Sequence, residues 1–225
     1  MLQDQKRSFF MDALPFWNKL SDGDRRLLLE SAFPQSYRAG ESIHSGAADC
    51  AGLVLVQSGQ VRAFIVSDEG KEITLYHLFE RDICLFSASC AMQNISFEIF
   101  LEAEKDTEAI LIPTSVYAAL SKRSVAMSDY SNQLMSSRFS DVMWIMEQVL
   151  FKRFDQRLAA FLLEQIDIEQ SHTLHITHEM IARHLGSARE VVTRMLKYFQ
   201  TNGMVELFRG GVTVTDLDGL EKLTQ

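Results

Sequence analysis

Residues 177 to 208 constrain this chain more than any other stretch. Thr177-His178-Glu179-Met180-Ile181-Ala182-Arg183-His184-Leu185 predicts a short amphipathic helix that begins at a threonine cap and turns inward through Ile181 and Leu185. Gly186 follows and permits the left-handed backbone that starts a second helix at a new angle. In that second helix Val192, Leu196 and Phe199 form the apolar stripe, and Arg189, Glu190, Thr193, Arg194 and Lys197 fall mostly on the other side. Arginine can donate two parallel hydrogen bonds to guanine O6 and N7, and glutamate can accept from the cytosine amino group. Threonine can meet a thymine methyl or a phosphate, and the Thr177 hydroxyl can donate to a phosphate at the helix start. The plainer alternative is a solvated face carrying a Glu190–Arg194 pair at i,i+4 spacing. A hairpin predicted over 204–208 and 212–215, around Gly210-Gly211, adds a wing and favours DNA.

The charge distribution agrees. The chain of 225 residues carries a formal net charge of −8, so it is no general nucleic-acid coat. Between His172 and Gly210, however, five Lys/Arg oppose three acids, with four histidines beside them. DNA binding needs positive charge on one face rather than a high overall pI. Three cysteines, Cys50, Cys84 and Cys90, are too few and too odd in number for a disulfide framework and fit a reducing cytoplasm. No secretory leader pattern and no apolar run near the ~18 residues of a membrane span is present, which predicts a soluble cytoplasmic protein. No nucleophile–base pair, phosphate loop or His/Glu metal motif on one helix points to an enzyme.

Upstream, residues 12–32 predict helix, with a cap at Ser21 or Asp22 and a stop at Pro34. From about Tyr37 to Pro113 the pattern becomes roughly eight short strands punctuated by glycine, including 51–56, 61–66, 73–78, 97–103 and 109–112, with a hairpin loop over 67–71. Many short strands with glycine turns predict a barrel or roll. Residues 115–150 lack Gly and Pro and predict one long helix, in which Met135, Val142, Ile145 and Val149 form a seam for a second subunit, the plainer alternative being that the helix packs only on the chain's own strands. Residues 151–169 predict another amphipathic helix, and 151–154 the hinge. The organisation expected is a sensor region with N-terminal helices over 1–113, a dimerisation helix over 114–151, and a DNA-binding domain over 152–225.

The stretch His175–Thr215 resembles the DNA-binding domain of the CRP/FNR family of bacterial transcription regulators. Arg189, Glu190 and Arg194 match that family's Arg-Glu-x-x-x-Arg pattern, and Glu190, Thr193 and Arg194 its Glu-x-x-Ser-Arg form, with threonine for serine. The order of strands, long helix and winged helix-turn-helix extends the resemblance over nearly the whole chain. It implies an α+β protein: an N-terminal double-stranded β-roll, cyclic-nucleotide-binding-like, that senses a signal; a long helix forming a homodimer; and a winged helix-turn-helix on palindromic promoter DNA, with RNA polymerase as a partner. By similarity Arg189, Glu190 and Arg194 read a TGA-containing half-site, with Thr177 on the backbone.

The effector is less legible. Cyclic-nucleotide-binding members hold the phosphate with Gly-Glu-x-Gly-Leu followed by Arg-Ser. The corresponding stretch here is Phe79-Glu80-Arg81-Asp82-Ile83-Cys84-Leu85-Phe86, with Arg81 and Cys84 where the glycines stand and only Asp82 keeping an acid. Gln93-Asn94-Ile95-Ser96-Phe97 downstream contains no arginine, which argues against cyclic AMP. The first 49 residues hold no cysteine, so an N-terminal iron–sulfur cluster lacks ligands. Asp82, Cys84 and Cys90 occupy the expected effector pocket. A thiol redox switch at Cys84 and Cys90 competes with plain burial of two small side chains. Haem would need His77, beside Tyr76, or His44. His172, His175 and His178 recur every three residues, but a strand followed by a cap points them apart, and no metal site is assigned. The alternative function is an effector-free dimer with a degenerate sensor, binding DNA or RNA polymerase constitutively.

Overall fold

Proline at position 15 decides how the chain begins. It lacks the amide that a continuing helix needs and clashes with the turn before it. Of the helical stretch expected over 12–32, residues 12–13 close α1 (Leu2–Ala13), a 3-10 turn follows at Trp17–Lys19, and α2 (Asp22–Ser31) starts at the expected cap. Ser21 caps α2, its hydroxyl accepting from the Asp24 amide at 3.2 Å. Lys6 of α1 donates to the carbonyls of Leu29 and Ala32 at the far end of α2. The structure is a computed structural model that describes residues 2–46, 52–91 and 97–224, with no side-chain account of 2, 3 and 89–91.

The chain divides into two compact units, residues 1–65 with 75–142, and residues 66–74 with 143–225. The first holds the strands β1 (Phe33–Tyr37), β2 (Ser42–Ser45), β3 (Leu53–Ser58), β4 (Val61–Val66), β5 (Glu72–Leu78), β6 (Ile83–Cys84), β7 (Phe100–Ala103) and β8 (Thr107–Ile112), the last residue of β4 and the first three of β5 belonging to the second unit. They form two four-stranded sheets, ordered β1-β8-β3-β6 and β2-β7-β4-β5. Register is set by apolar residues facing inward: Leu55 pairs with Ile110 and Leu53 with Ile112, and all four are buried. Their side chains join Phe10, Leu14, Trp17, Leu28 and Leu120 in one core. Gly59 turns β3 into β4 at φ +96°, where a Cβ would lie 2.5 Å from the Asp106 carbonyl oxygen, so no other residue fits without moving backbone.

The single helix expected over 115–150 is two. These are α3 (Thr114–Arg123) and α4 (Val125–Phe151), broken at Ser124. Ser124 is extended, donates its amide to the Leu120 carbonyl at 2.8 Å, and accepts from the Met127 amide through Oγ at 3.3 Å. It closes one helix and caps the next. The apolar faces of α4 also differ from the expected seam. Met135 packs on the core of the first unit, and Val142 and Ile145 are half-buried. The exposed stripe is Phe139, Met143, Met146 and Leu150, at spacings of four, three and four, with Trp144, Val149 and Phe151 also exposed.

The second unit continues with α5 (Phe154–Glu169), β9 (Thr173–Leu174), α6 (His178–His184), α7 (Arg189–Thr201), β10 (Val205–Phe208), β11 (Gly211–Val214) and α8 (Leu217–Thr224). The strands form an antiparallel sheet ordered β10-β11-β9. Leu158, Leu162, Ile181, Val192, Leu196, Phe199, Val212 and Leu220 share its core.

One turn carries strain. Arg81, which stands where the resembling family has glycine, sits at φ +74°, and Asp82 Oδ2 accepts from the Phe79 amide at 2.9 Å across the same turn. A left-handed non-glycine residue costs about 1–2 kcal/mol. The Arg81 side chain pairs with Glu80 at 3.5 Å, but that pair is exposed and offsets little of this. Arg81→Gly is therefore expected to stabilise the protein by about 1 kcal/mol, seen as a higher urea midpoint at unchanged m value. A lower midpoint would mean that the arginine side chain outweighs its backbone.

Candidate nucleic-acid interface

The candidate reading surface is built from the turn between α6 and α7. Thr177 is extended and accepts from the Met180 amide at 3.2 Å, which starts α6 at His178. Ile181 and Ala182 bury the inner face. The chain then reverses at Gly186, with φ +63°. A Cβ on Gly186 would lie 2.5 Å from Cγ1 of Ile73, which forms an antiparallel bridge with Leu185. Glycine is thus required both for dihedral and for space. The same unit pairs Arg183 with Glu72 at 3.0 Å, and Thr74 bonds His184 at 2.9 Å. Arg183 is thereby committed to the protein and does not join the reading face.

Ala188, at the N-cap of α7, offers no side-chain cap, so the first amides of the helix keep their attraction for an anion. Val192, Leu196 and Phe199 are wholly buried and fix the helix by one face. Arg189, Glu190, Arg194 and Lys197 are exposed and Thr193 is half-buried on the other, and the five line one shallow depression. The i,i+4 pair that spacing allows between Glu190 and Arg194 is not formed. Among the described residues, no ion pair or side-chain hydrogen bond engages Arg189, Glu190, Arg194 or Lys197. Two guanidinium groups, a carboxylate and an ammonium thus stand ready on the face opposite the core, a set of donors and one acceptor suited to base edges and phosphates.

Sequence spacing did not reveal the role of His178. Its Nδ1 lies 2.9 Å from Thr193 Oγ1, tying the start of α6 to the middle of the reading face. Burial, and then the charges of Arg189 and Lys197, hold its pKa below the ordinary imidazole value. His175 instead meets the Phe208 ring edge-on at 5.6 Å, so these histidines serve different partners.

In the first unit, the expected effector residues have the following places. Asp82 closes the turn described above. Cys84 is 1% exposed, burial pushes its thiol up, and the Tyr76 hydroxyl lies 3.9 Å from its sulfur. A buried thiol with a raised pKa holds little thiolate and reacts slowly. The Cys90 side chain, Cys50 and the stretch 92–96 lie outside the described residues. His77 Nε2 lies 3.2 Å from Glu104 Oε2, and His44 is buried, so an axial haem ligand at either place would displace an existing contact. Two features near Cys84 were not legible in the sequence: Arg138 of α4 stacks over the Tyr76 ring at 4.4 Å, and it also pairs with Asp141 at 3.0 Å.

Residues 156–223 match the Crp-like helix-turn-helix domain. A crystal structure of a transcriptional regulator of the CRP/FNR family from Eubacterium rectale ATCC 33656 is similar over 95% of this chain and 99% of its own, at 51% identity and a TM-score of 0.92. The chain belongs to the CRP/FNR family of transcription regulators. Among curated relatives, the anaerobic regulatory protein of Haemophilus influenzae is 28% identical over 197 residues, 84% of this chain and 72% of the relative. The cyclic AMP receptor protein of Thermus thermophilus is 28% identical over 171 residues, 76% of this chain and 78% of the relative. The fold is the family's, with a β-rich N-terminal part and a helix-turn-helix at the C-terminus, and the function is that of a CRP/FNR-type transcription regulator. No described helix is long and apolar enough to cross a membrane.

Proposed function

We propose that two copies of this regulator pair along α4 and place their α7 helices in successive major grooves of a palindromic promoter. Arg189, Glu190, Thr193 and Arg194 would read base edges, and Lys197 and Thr177 would hold phosphates. The observation that carries this reading is the exposed, unpaired state of the four charged side chains of α7 above a fully buried stripe. The Phe139–Leu150 stripe supports the pairing, since an apolar helix face of that spacing fits a two-fold partner. Half-sites then lie one helical turn, about 34 Å, apart. The protein works in the cytoplasm and contacts RNA polymerase, as a regulator rather than a catalyst.

The roll supplies the signal response, with the region 151–154 as the hinge and the organisation 1–113, 114–151 and 152–225 as the working parts. An effector acts only by binding the DNA-competent state better than the other. Cyclic AMP does not suit the Phe79–Phe86 stretch, where Asp82 is spent on its own turn and an arginine stands at Arg81. An N-terminal iron–sulfur cluster has no cysteine before Cys50. Asp82, Cys84 and Cys90 remain the residues assigned to the effector pocket. The commitment of Asp82 and the burial of Cys84 give weight to a second reading, an effector-free dimer with a degenerate sensor.

Selection of duplexes from a random library by the purified chain tests the reading. An enriched inverted repeat with half-site centres one turn apart is the expected result, and enrichment without two-fold symmetry contradicts it. Native mass spectrometry of the same preparation separates the two readings of the roll, since a retained small molecule supports a liganded sensor.

A further inference from the structure

We propose that His178 belongs to the operator-reading surface: its ring sets the direction of the Thr193 hydroxyl, and that setting changes when the ring takes up a proton on binding DNA. This rests on the reading of α7 given above.

The two side chains are fifteen residues apart and meet at 2.9 Å, Nδ1 to Oγ1, across the helix-turn-helix. A threonine hydroxyl has one proton and two acceptor lone pairs. When the ring is neutral with its proton on Nε2, the hydroxyl must donate to Nδ1. Thr193 then presents only lone pairs to the groove, as an acceptor. When the ring is protonated, Nδ1–H donates to Oγ1 instead. The hydroxyl proton is released, and Thr193 can donate to a base edge or a phosphate. Starting from the Nε2–H tautomer, one proton on His178 thus exchanges acceptor for donor at a position among Arg189, Glu190 and Arg194.

The charges acting on His178 explain why DNA would bring that proton. From α7 it is faced by Arg189 and Lys197, and on α6 its neighbour along the chain is Glu179. In the free protein the two cations, together with burial, disfavour a charged ring. Phosphates set against those cations remove part of the penalty, so the complex holds the proton more tightly than the free chain. By linkage, affinity then rises as pH falls through the window between the bound and free pKa, and is flat outside it.

The test uses the full chain, its His178→Gln and Thr193→Val variants, and a fluorescein-labelled duplex with inverted TGA-containing half-sites. Affinity is followed by anisotropy between pH 8 and pH 6 at fixed ionic strength. The unsubstituted chain is expected to tighten about three- to tenfold more per half-site than His178→Gln over that range, the upper bound being one pKa unit for each ring. Every group other than residue 178 is common to both proteins, so its contribution cancels. Duplex selection repeated at both pH values should change base preference at one position per half-site, and Thr193→Val should abolish that change. Equal pH slopes for the unsubstituted chain and His178→Gln overturn the inference while leaving DNA reading intact. Failure of the unsubstituted chain to bind any selected duplex at any pH overturns the reading of α7, and this inference with it.

Discussion

Arg194→Ala is expected to lose about 1–3 kcal/mol of specific binding for each half-site, roughly five- to 150-fold, and to relax base preference at one position of each half-site. The magnitude follows from bidentate recognition of a base, which alanine cannot replace. The structure makes the measurement clean. Arg194 is exposed and engaged by no ion pair or side-chain hydrogen bond among the described residues, so its removal leaves no orphaned partner. Folding stability should stay within about 0.5 kcal/mol, as for other surface changes. Thermal melts of the free protein check that half. Competition binding against every single-base variant of the selected duplex checks the other. Lys197→Ala provides the contrast: a phosphate contact should weaken all sequences alike and lower the slope of log K against log salt by about one. If Arg194→Ala showed that uniform pattern, its guanidinium would hold backbone rather than read sequence.

The parts of the molecule that the sequence made legible are those fixed by local rules. Thr177 announces a cap, Gly186 a left-handed turn, and the Val192–Leu196–Phe199 stripe a helix with one buried face. Each is a constraint among residues close along the chain. β4 over 61–66 and the loop over 67–71 are legible for the same reason, since a short, mostly apolar run meets a turn-forming Ser-Asp-Glu-Gly. Two further signals lay in the sequence. Pro15 keeps α1 from running on toward the cap at Ser21, and Ser124 is a capping residue inside an otherwise unbroken helical pattern. What local rules cannot supply is which of two adjacent apolar faces on α4 the chain covers itself. Met135, Val142, Ile145 and Val149 form as good a seam on paper as Phe139, Met143, Met146 and Leu150. Contact with the core of the first unit separates them by claiming Met135. Arg62 illustrates the same limit. It is buried at 1% exposure between Glu102 and Glu104, over the Phe64 ring, and a charged residue alternating in a strand otherwise reads as solvent-facing. The bond from His178 to Thr193 likewise arises only when two helices cross.

Phe139→Glu combined with Met146→Glu is expected to convert the protein to monomers and to abolish operator binding at concentrations where the unsubstituted chain is saturated. Both side chains lie on the exposed stripe of α4, at 66% and 46% exposure, and neither belongs to a buried core of its own chain. In the monomer each change should be nearly neutral, because glutamate is a good helix former and gains water. In a two-fold dimer every substitution occurs twice, and the same face meets itself. Four carboxylates would then enter an apolar interface without partners. An uncompensated buried charge costs about 3–5 kcal/mol, so even partial burial of four exceeds what a helix pair of this length can supply. Sedimentation equilibrium measures the association, and circular dichroism shows whether helix content survives. A chain that stays dimeric with both glutamates in place would move the interface off this stripe. A chain that becomes monomeric yet binds the full palindrome as tightly as before would separate DNA reading from pairing. Two α7 helices joined by a dimer share the entropic cost of locating the site, and single subunits must each meet that cost alone, so monomers should hold a half-site only weakly.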